Sequence, residues 1–340
     1  MPVPAELLAG LTLDGAWKVL CLVNRPPTCT GGHFSHGYIV ESPSGEKGYL
    51  KALDYSSAFL SPDPAMVLQA LTEGFNHERA LCMQCKRLSR VVNVLAEGKV
   101  LVDPNYPASV VQYLIFELAD GDVRSHLDAL ARFDIAWCLR SLHHVATGLF
   151  QLHRLGIAHQ DLKPSNVLAF PDRVFKIADL GRASSKSAGG PHEGYKVAGD
   201  MGYAPPDLLY GYADADWGRR RLGCDVYLLG SMVVFFFTRT SITALILDKM
   251  DPTHHWQKWQ GTFDEVLPYV RHAFGRALED FGKTVPSDIR EELVLAVRQL
   301  CEPDPRLRGH PGASWDTTIR FRWKGTFPSS TYWPRKPSMA

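Results

Sequence analysis

Short apolar stretches broken by turn residues mark the first third of the chain. Trp17 to Val23, Gly48 to Leu53, Val91 to Leu95, Val100 to Val102 and Val110 to Leu118 each have the length and composition of a strand. One longer stretch differs. Asp63-Pro64 offers an N-cap and a proline at the first helical position, and the pattern predicts a helix from there toward Arg87. After Asp134 the spacing becomes helical: Ile135, Leu139, Leu142, Ala146, Leu149 and Leu152 recur about every 3.6 residues, with Asp134 as cap and Gly156 as stop. Val226 to Phe237 is an apolar run ending before Arg239. It is shorter than the roughly 20 residues that a bilayer needs, so it reads as a buried core helix. Helices are also predicted over Phe263 to Phe281 and Ser287 to Cys301.

Within this frame two apolar runs, Val167 to Phe170 and Val174 to Ala178, flank the turn-like Pro171-Asp172-Arg173. Folded as a hairpin, they bring Asn166 and Asp179 to the same open end. An amide oxygen and a carboxylate held together suit a hard cation such as Mg²⁺, which takes oxygen ligands and usually keeps phosphate and water as the others. Asp161 lies on the loop feeding the hairpin. It can orient, or take the proton of, a hydroxyl approaching the same phosphate, and Lys163 can neutralise transferred charge.

Composition narrows the classes. A length of 340 residues suits one two-lobed domain or two small ones. A formal net charge of +1 argues against bulk nucleic-acid binding or an acidic partner. Seven cysteines, an odd number at irregular spacing, do not form a disulfide framework, and a reducing, cytoplasmic setting is the simplest expectation. Met-Pro-Val-Pro-Ala-Glu lacks the basic and apolar regions of a signal peptide, and no membrane association is expected. Cys82-Met83-Gln84-Cys85 has no second ligand pair nearby and reads as packing. His143, His144 and His153, like His254-His255, are expected on core or solvated faces in preference to a metal site.

Before the Gly48 strand, Gly31, Gly32 and Gly37 surround Phe34 in a stretch where backbone N–H groups could cradle phosphate. Alone it would be an ordinary hairpin turn; its place ahead of a lysine-bearing strand favours the phosphate reading. Lys51 sits amid apolar residues, and a buried lysine is costly unless paired.

His159-Gln160-Asp161-Leu162-Lys163-Pro164-Ser165-Asn166, followed by Asp179-Leu180-Gly181, resembles the catalytic core of the protein kinase family. That family writes the two motifs H-R-D-L-K-P-x-N and D-F-G. Gly199 to Asp207 resembles its G-T-P-x-Y-x-A-P-E segment, and Gly223 to Gly230 its D-V-x-S-L-G helix. The resemblance runs from about Trp17 to Pro311. It implies an α+β, two-lobed fold: a small antiparallel sheet with one helix, over a mainly helical lobe. The corresponding boundaries are residues 1–116, a hinge at 117–121, a large lobe at 122–318 and a basic-aromatic extension at 319–340. That extension could bind single-stranded nucleic acid, but packing on the large lobe is the favoured expectation. ATP and Mg²⁺ are the implied cofactors, and a protein with a serine or threonine acceptor is the implied partner.

Residue by residue, the resemblance makes Asp161 the group that orients the acceptor and Lys163 the group that stabilises transferred charge. Asn166 and Asp179 would hold metal. Lys51, paired with Glu78, would set the phosphates, with Glu73 as the competing partner. Phe116 would back the adenine pocket, Glu117 and Ala119 would offer backbone groups to adenine, and Asp120 would lie near ribose. Asp225 would hold the catalytic-loop backbone, and Asp207 would pair with Arg308. Residues 182–197 would form a mobile activation segment.

Three departures matter. Asp200 stands where a threonine usually steadies the aspartate and lysine, and Asp207 is one methylene shorter than the usual glutamate. Gln160 replaces an arginine that grips an activation-segment phosphate, so activity independent of such phosphorylation is expected. A nucleotide-gated binding module without catalysis and a small-molecule phosphotransferase are the competing classes. The presence of Lys51, Asp161 and Asp179 speaks against the first; Lys163-Pro164, Asp-Leu-Gly and Pro205-Pro206-Asp207 speak against the second.

Overall fold

The computed structural model describes residues 3–23, 35–105, 109–129 and 133–309. The chain divides into two compact units, residues 1–120 with 178–181, and residues 121–177 with 182–340. Gly31, Gly32 and Phe34, and the 319–340 extension, lie outside the described residues.

The first unit is a five-stranded antiparallel sheet: β1 (Lys18–Leu22), β2 (Ser35–Glu41), β3 (Lys47–Leu53), β4 (Val94–Leu101) and β5 (Val110–Glu117), in the order β1-β2-β3-β5-β4. The lysine-bearing β3 is therefore central. The two strands expected at 91–95 and 100–102 are one strand, β4. Its polar middle, Ala96 to Lys99, looks like a break in the sequence. At the sheet edge it keeps its ladder with β5 while Glu97 reaches outward to Arg79. Helix α1 (Pro64–Cys85) starts where expected, with the Asp63 carboxylate accepting from the Met66 N–H at 3.0 Å. Its Phe75 packs with Leu53 and Leu114. Residues 3–16, for which the hydrophobic pattern predicts nothing, contribute Leu8 and Leu13 to the sheet core beside Trp17, and the Tyr38 hydroxyl donates to the Ala5 carbonyl at 2.8 Å.

The second unit opens with β6 (Gly121–Asp122) and α2 (Val123–Ala129), then α3 (Ile135–Arg154), capped by Asp134 through the Trp137 N–H at 2.9 Å. Strand β7 (Ile157–Ala158) leads to the catalytic-loop sequence. Strands β8 (Val167–Phe170) and β9 (Val174–Ile177) form the expected hairpin, with Val167 opposite Ile177 at its open end. Strand β10 (Ser184–Ser185) pairs with β7. Helices α4 (Pro206–Leu209), α5 (Gly223–Thr238), α6 (Ile242–Lys249), α7 (Phe263–Thr284) and α8 (Arg290–Leu300) complete it.

Residues 223–236 of α5 are all buried, which is why its sequence has no polar face. With the π-helical turn Gly218–Leu222 ahead of it, this helix is longer than its apolar run. By length and composition alone it could cross a membrane, yet 89% of its most apolar window is enclosed by the protein. Gly230 marks its crossing with the end of α8: a Cβ there would lie 2.4 Å from Cys301 Sγ and 2.8 Å from Leu300 Cβ. Gly230→Ala is expected to destabilise the fold by about 1–3 kcal/mol through overpacking. Urea unfolding at unchanged m-value reads it, and an unaltered midpoint would show that the crossing has room.

Candidate functional site

In the first unit a charged group forms on β3 and α1. Lys51 Nζ donates to both Glu78 oxygens, at 2.7 and 2.8 Å, and lies 3.5 Å from Asp179 Oδ1. Glu78 is buried at 5% exposure. Glu73, the competing choice, instead accepts from Gln69 at 2.8 Å one helical turn away. Burial by itself would push the Lys51 ammonium down. The Asp179 and Glu78 carboxylates outweigh it and hold the pKa above the ordinary lysine value. One ammonium facing two carboxylates leaves an excess negative charge, which suits a divalent cation.

Gly37 lies inside β2, opposite Lys51, and not in the turn before it. Glu117 closes β5. Its N–H donates to the Asn93 carbonyl at 3.2 Å, and its side chain accepts from the Asn93 N–H at 2.7 Å. Ala119 and the exposed Asp120 follow in the same unit.

In the second unit the loop after β7 is shaped from below by α5. Asp225, fully buried, accepts from the His159 and Gln160 N–H groups at 2.7 and 2.8 Å and shares a 2.8 Å hydrogen bond with His153 Nε2. Gln160 takes a left-handed backbone, φ 68°, which turns the chain so that Asp161 projects from it. Asp161 Oδ1 accepts from the Asp200 N–H at 2.8 Å. Its Oδ2 accepts from Asn166 Nδ2 at 3.0 Å and lies 3.2 Å from Lys163 Nζ. Asn166 Nδ2 also donates to the Asp161 carbonyl at 2.8 Å. That orientation commits the amide nitrogen and leaves the amide oxygen as the end suited to a metal.

Asp200, flagged by its missing threonine, reaches both residues that the threonine would steady. Its N–H meets Asp161, and its carboxylate lies 3.4 Å from Lys163 Nζ. Gly199 makes this approach possible, since a Cβ there would sit 2.4 Å from the Gln160 carbonyl and 2.7 Å from Asp161 Oδ1. The expected Asp207–Arg308 pair forms at 2.5 Å, both side chains buried, so the shorter acid still reaches its partner.

A sequence profile of the protein kinase domain matches residues 77–314, more than half of the chain. The chain belongs to the protein kinase domain family. Its fold is accordingly that of a kinase domain, an antiparallel-sheet unit and a mainly helical unit. The matched span begins at His77, after β3, so the kinase match does not itself include Lys51. Among curated relatives, cyclin-dependent kinase 9 of Danio rerio is 29% identical over 168 residues, 47% of this chain and 43% of that protein. Cyclin-dependent kinase 9 of Homo sapiens is 28% identical over 164 residues, 47% of this chain and 43% of that protein. A G-type lectin S-receptor-like serine/threonine-protein kinase of Arabidopsis thaliana is 28% identical over 223 residues, 63% of this chain and 24% of that protein. The chain thus spans less than half the length of these relatives. Kinase domains in general use ATP and Mg²⁺ and act on protein substrates.

One residue beside this kinase loop escaped the sequence reading. Arg221 is buried and donates to Gln160 Oε1 at 3.2 Å. The available signal was the missing charge at Gln160 together with the basic run Arg219-Arg220-Arg221 just ahead of Asp225. Such a run ordinarily indicates a solvated face, and Arg219 follows that rule: it is more than a third exposed.

Proposed function

We propose that the chain is an ATP-dependent protein kinase that transfers the γ-phosphoryl group to serine or threonine hydroxyls. The observation that carries this reading is the Asp161 carboxylate, held on both oxygens by Asp200, Asn166 and Lys163. An acid fixed in this way is preorganised to orient an acceptor hydroxyl, and Lys163 beside it offsets charge on the transferred group. Lys51, aligned by Glu78, takes the nucleotide phosphates. Asn166 and Asp179 are the residues that would hold Mg²⁺, and the ion would supply charge neutralisation on the phosphate oxygens. Phosphorylation of the activation segment is not required, because Gln160 brings no cation to read it.

The test is phosphate transfer from ATP with Mg²⁺ to the protein itself and to mixed protein substrates, comparing the intact chain with Asp179→Ala. Phosphoserine or phosphothreonine is expected from the intact chain, with a loss of about a hundredfold or more in the variant. Transfer confined to small hydroxylated molecules would make it a small-molecule phosphotransferase. Nucleotide binding that needs Lys51 without any transfer would make it a binding module.

A further inference from the structure

Residues 182–197, expected to be mobile, are held at more than the β7–β10 pairing. Glu193, in the middle of this stretch, is gripped from three sides. Arg221 Nη2 donates to Glu193 Oε2 at 2.6 Å and to the Glu193 carbonyl at 3.0 Å. Arg220 Nη2 stands 3.7 Å from the same carboxylate, and the Ser184 hydroxyl donates to its other oxygen. Trp217 Nε1 donates in turn to Ser184 Oγ at 3.3 Å. Burial pushes the Glu193 carboxyl up, but the Ser184 hydroxyl and Arg221 outweigh it and keep it below the ordinary glutamate value.

The other side of the same guanidinium faces the catalytic loop. Arg221 Nη1 donates to Gln160 Oε1 at 3.2 Å, and Gln160 Nε2 donates back to the Arg221 carbonyl at 2.8 Å. Arg221 is 2% exposed, so its charge needs a fixed partner, and Glu193 provides it. A neutral residue at 160 is what leaves room for this cation; an arginine there would face it directly. Meanwhile Ser184 and Ser185, at 4% exposure each, are buried and poorly placed to accept phosphate.

We propose that Glu193 and Arg221 are a positioning pair, in which a permanent carboxylate on the activation segment is clamped beside Gln160 and holds that segment to the catalytic loop without phosphorylation. The proposal rests on the kinase reading above and deepens it. It relocates the cation from the loop to the turn before α5, and it replaces a reversible phosphate by a side chain.

The test uses the full chain, stripped of phosphate by a nonspecific phosphatase and checked by mass spectrometry. Transfer kinetics are compared for wild type, E193Q, E193D, R221Q, E193Q/R221Q and Q160R. Wild type is expected to keep its activity after stripping. E193Q and R221Q should each lower kcat/KM about tenfold or more, and the double variant should fall no further than either single one. E193D should recover most of the loss, which a general packing defect would not allow. Q160R should fall as E193Q does, although it restores the family's residue. In parallel, trypsin cleavage after the exposed Lys186 and Lys196 should be faster in E193Q at unchanged melting temperature. Wild-type activity that vanishes on stripping overturns the proposal, as does E193Q with wild-type kinetics. If R221Q fails to fold, E193Q and E193D carry the comparison. Should no chain transfer phosphate at all, the kinase reading fails, and trypsin alone decides the clamp: cleavage of E193Q at the wild-type rate overturns it, and faster cleavage upholds it.

Discussion

Asp161→Asn is expected to lower the rate of the proposed phosphoryl transfer by about 10²–10⁴-fold while leaving ATP affinity nearly unchanged. The size follows from what the substitution keeps and loses. An asparagine fills the same space and can still accept from the Asp200 N–H, now at 2.8 Å. It cannot take a proton, and it removes the negative charge that Lys163 faces at 3.2 Å. The loop should survive, because Asp225 holds the His159 and Gln160 N–H groups independently of Asp161. The loss should therefore fall on kcat, with KM for ATP little moved. A variant retaining more than about a tenth of the wild-type rate would remove Asp161 from the proposed role.

Asp207→Ala is expected to cost about 3–5 kcal/mol of stability, the largest single effect on the fold. Arg308, at 0% exposure, would lose the Asp207 carboxylate that it meets at 2.5 Å and remain charged in the interior. Carbonyls that it also reaches, Glu302 O at 2.9 Å, Pro303 O at 3.1 Å and Gly223 O at 3.4 Å, solvate a guanidinium without neutralising it. Removing both partners together, as Asp207→Ala with Arg308→Met, should cost less than the single change, since no orphan charge remains. Denaturant unfolding of the three proteins would show this. A single variant within about 1 kcal/mol of wild type would mean that the pair contributes little.

The Asp161 site was legible from short-range grammar, and the Asp207–Arg308 pair from its resemblance to family motifs. Asp161, Lys163 and Asn166 sit within six residues, and Asp179 follows one hairpin later. The resemblance of the helix to the family's pattern favours Glu78 over Glu73, and family motifs pair Asp207 with Arg308 across 101 residues. What stayed hidden lacked such grammar. Arg221 meets Glu193 across 28 residues, through a basic run whose neighbour Arg219 is an ordinary surface residue. Residues 3–16 pack on the sheet through apolar positions that follow neither a helical nor a strand period. Strand β4 hid behind Glu97 and Lys99, because an edge strand needs its backbone paired and not its side chains buried.

Asp225 gives the catalytic loop an unusual kind of dependence. A carboxylate with no solvent contact must find donors, and here they are the loop's own N–H groups and His153. The left-handed turn at Gln160 is thus cast against a mould in the helix beneath, a mould that takes no part in the chemistry. Side chains on the outer surface of the casting can be exchanged while its shape persists. In that sense the loop behaves as a replaceable tool head, and α5 as the socket that fixes its angle.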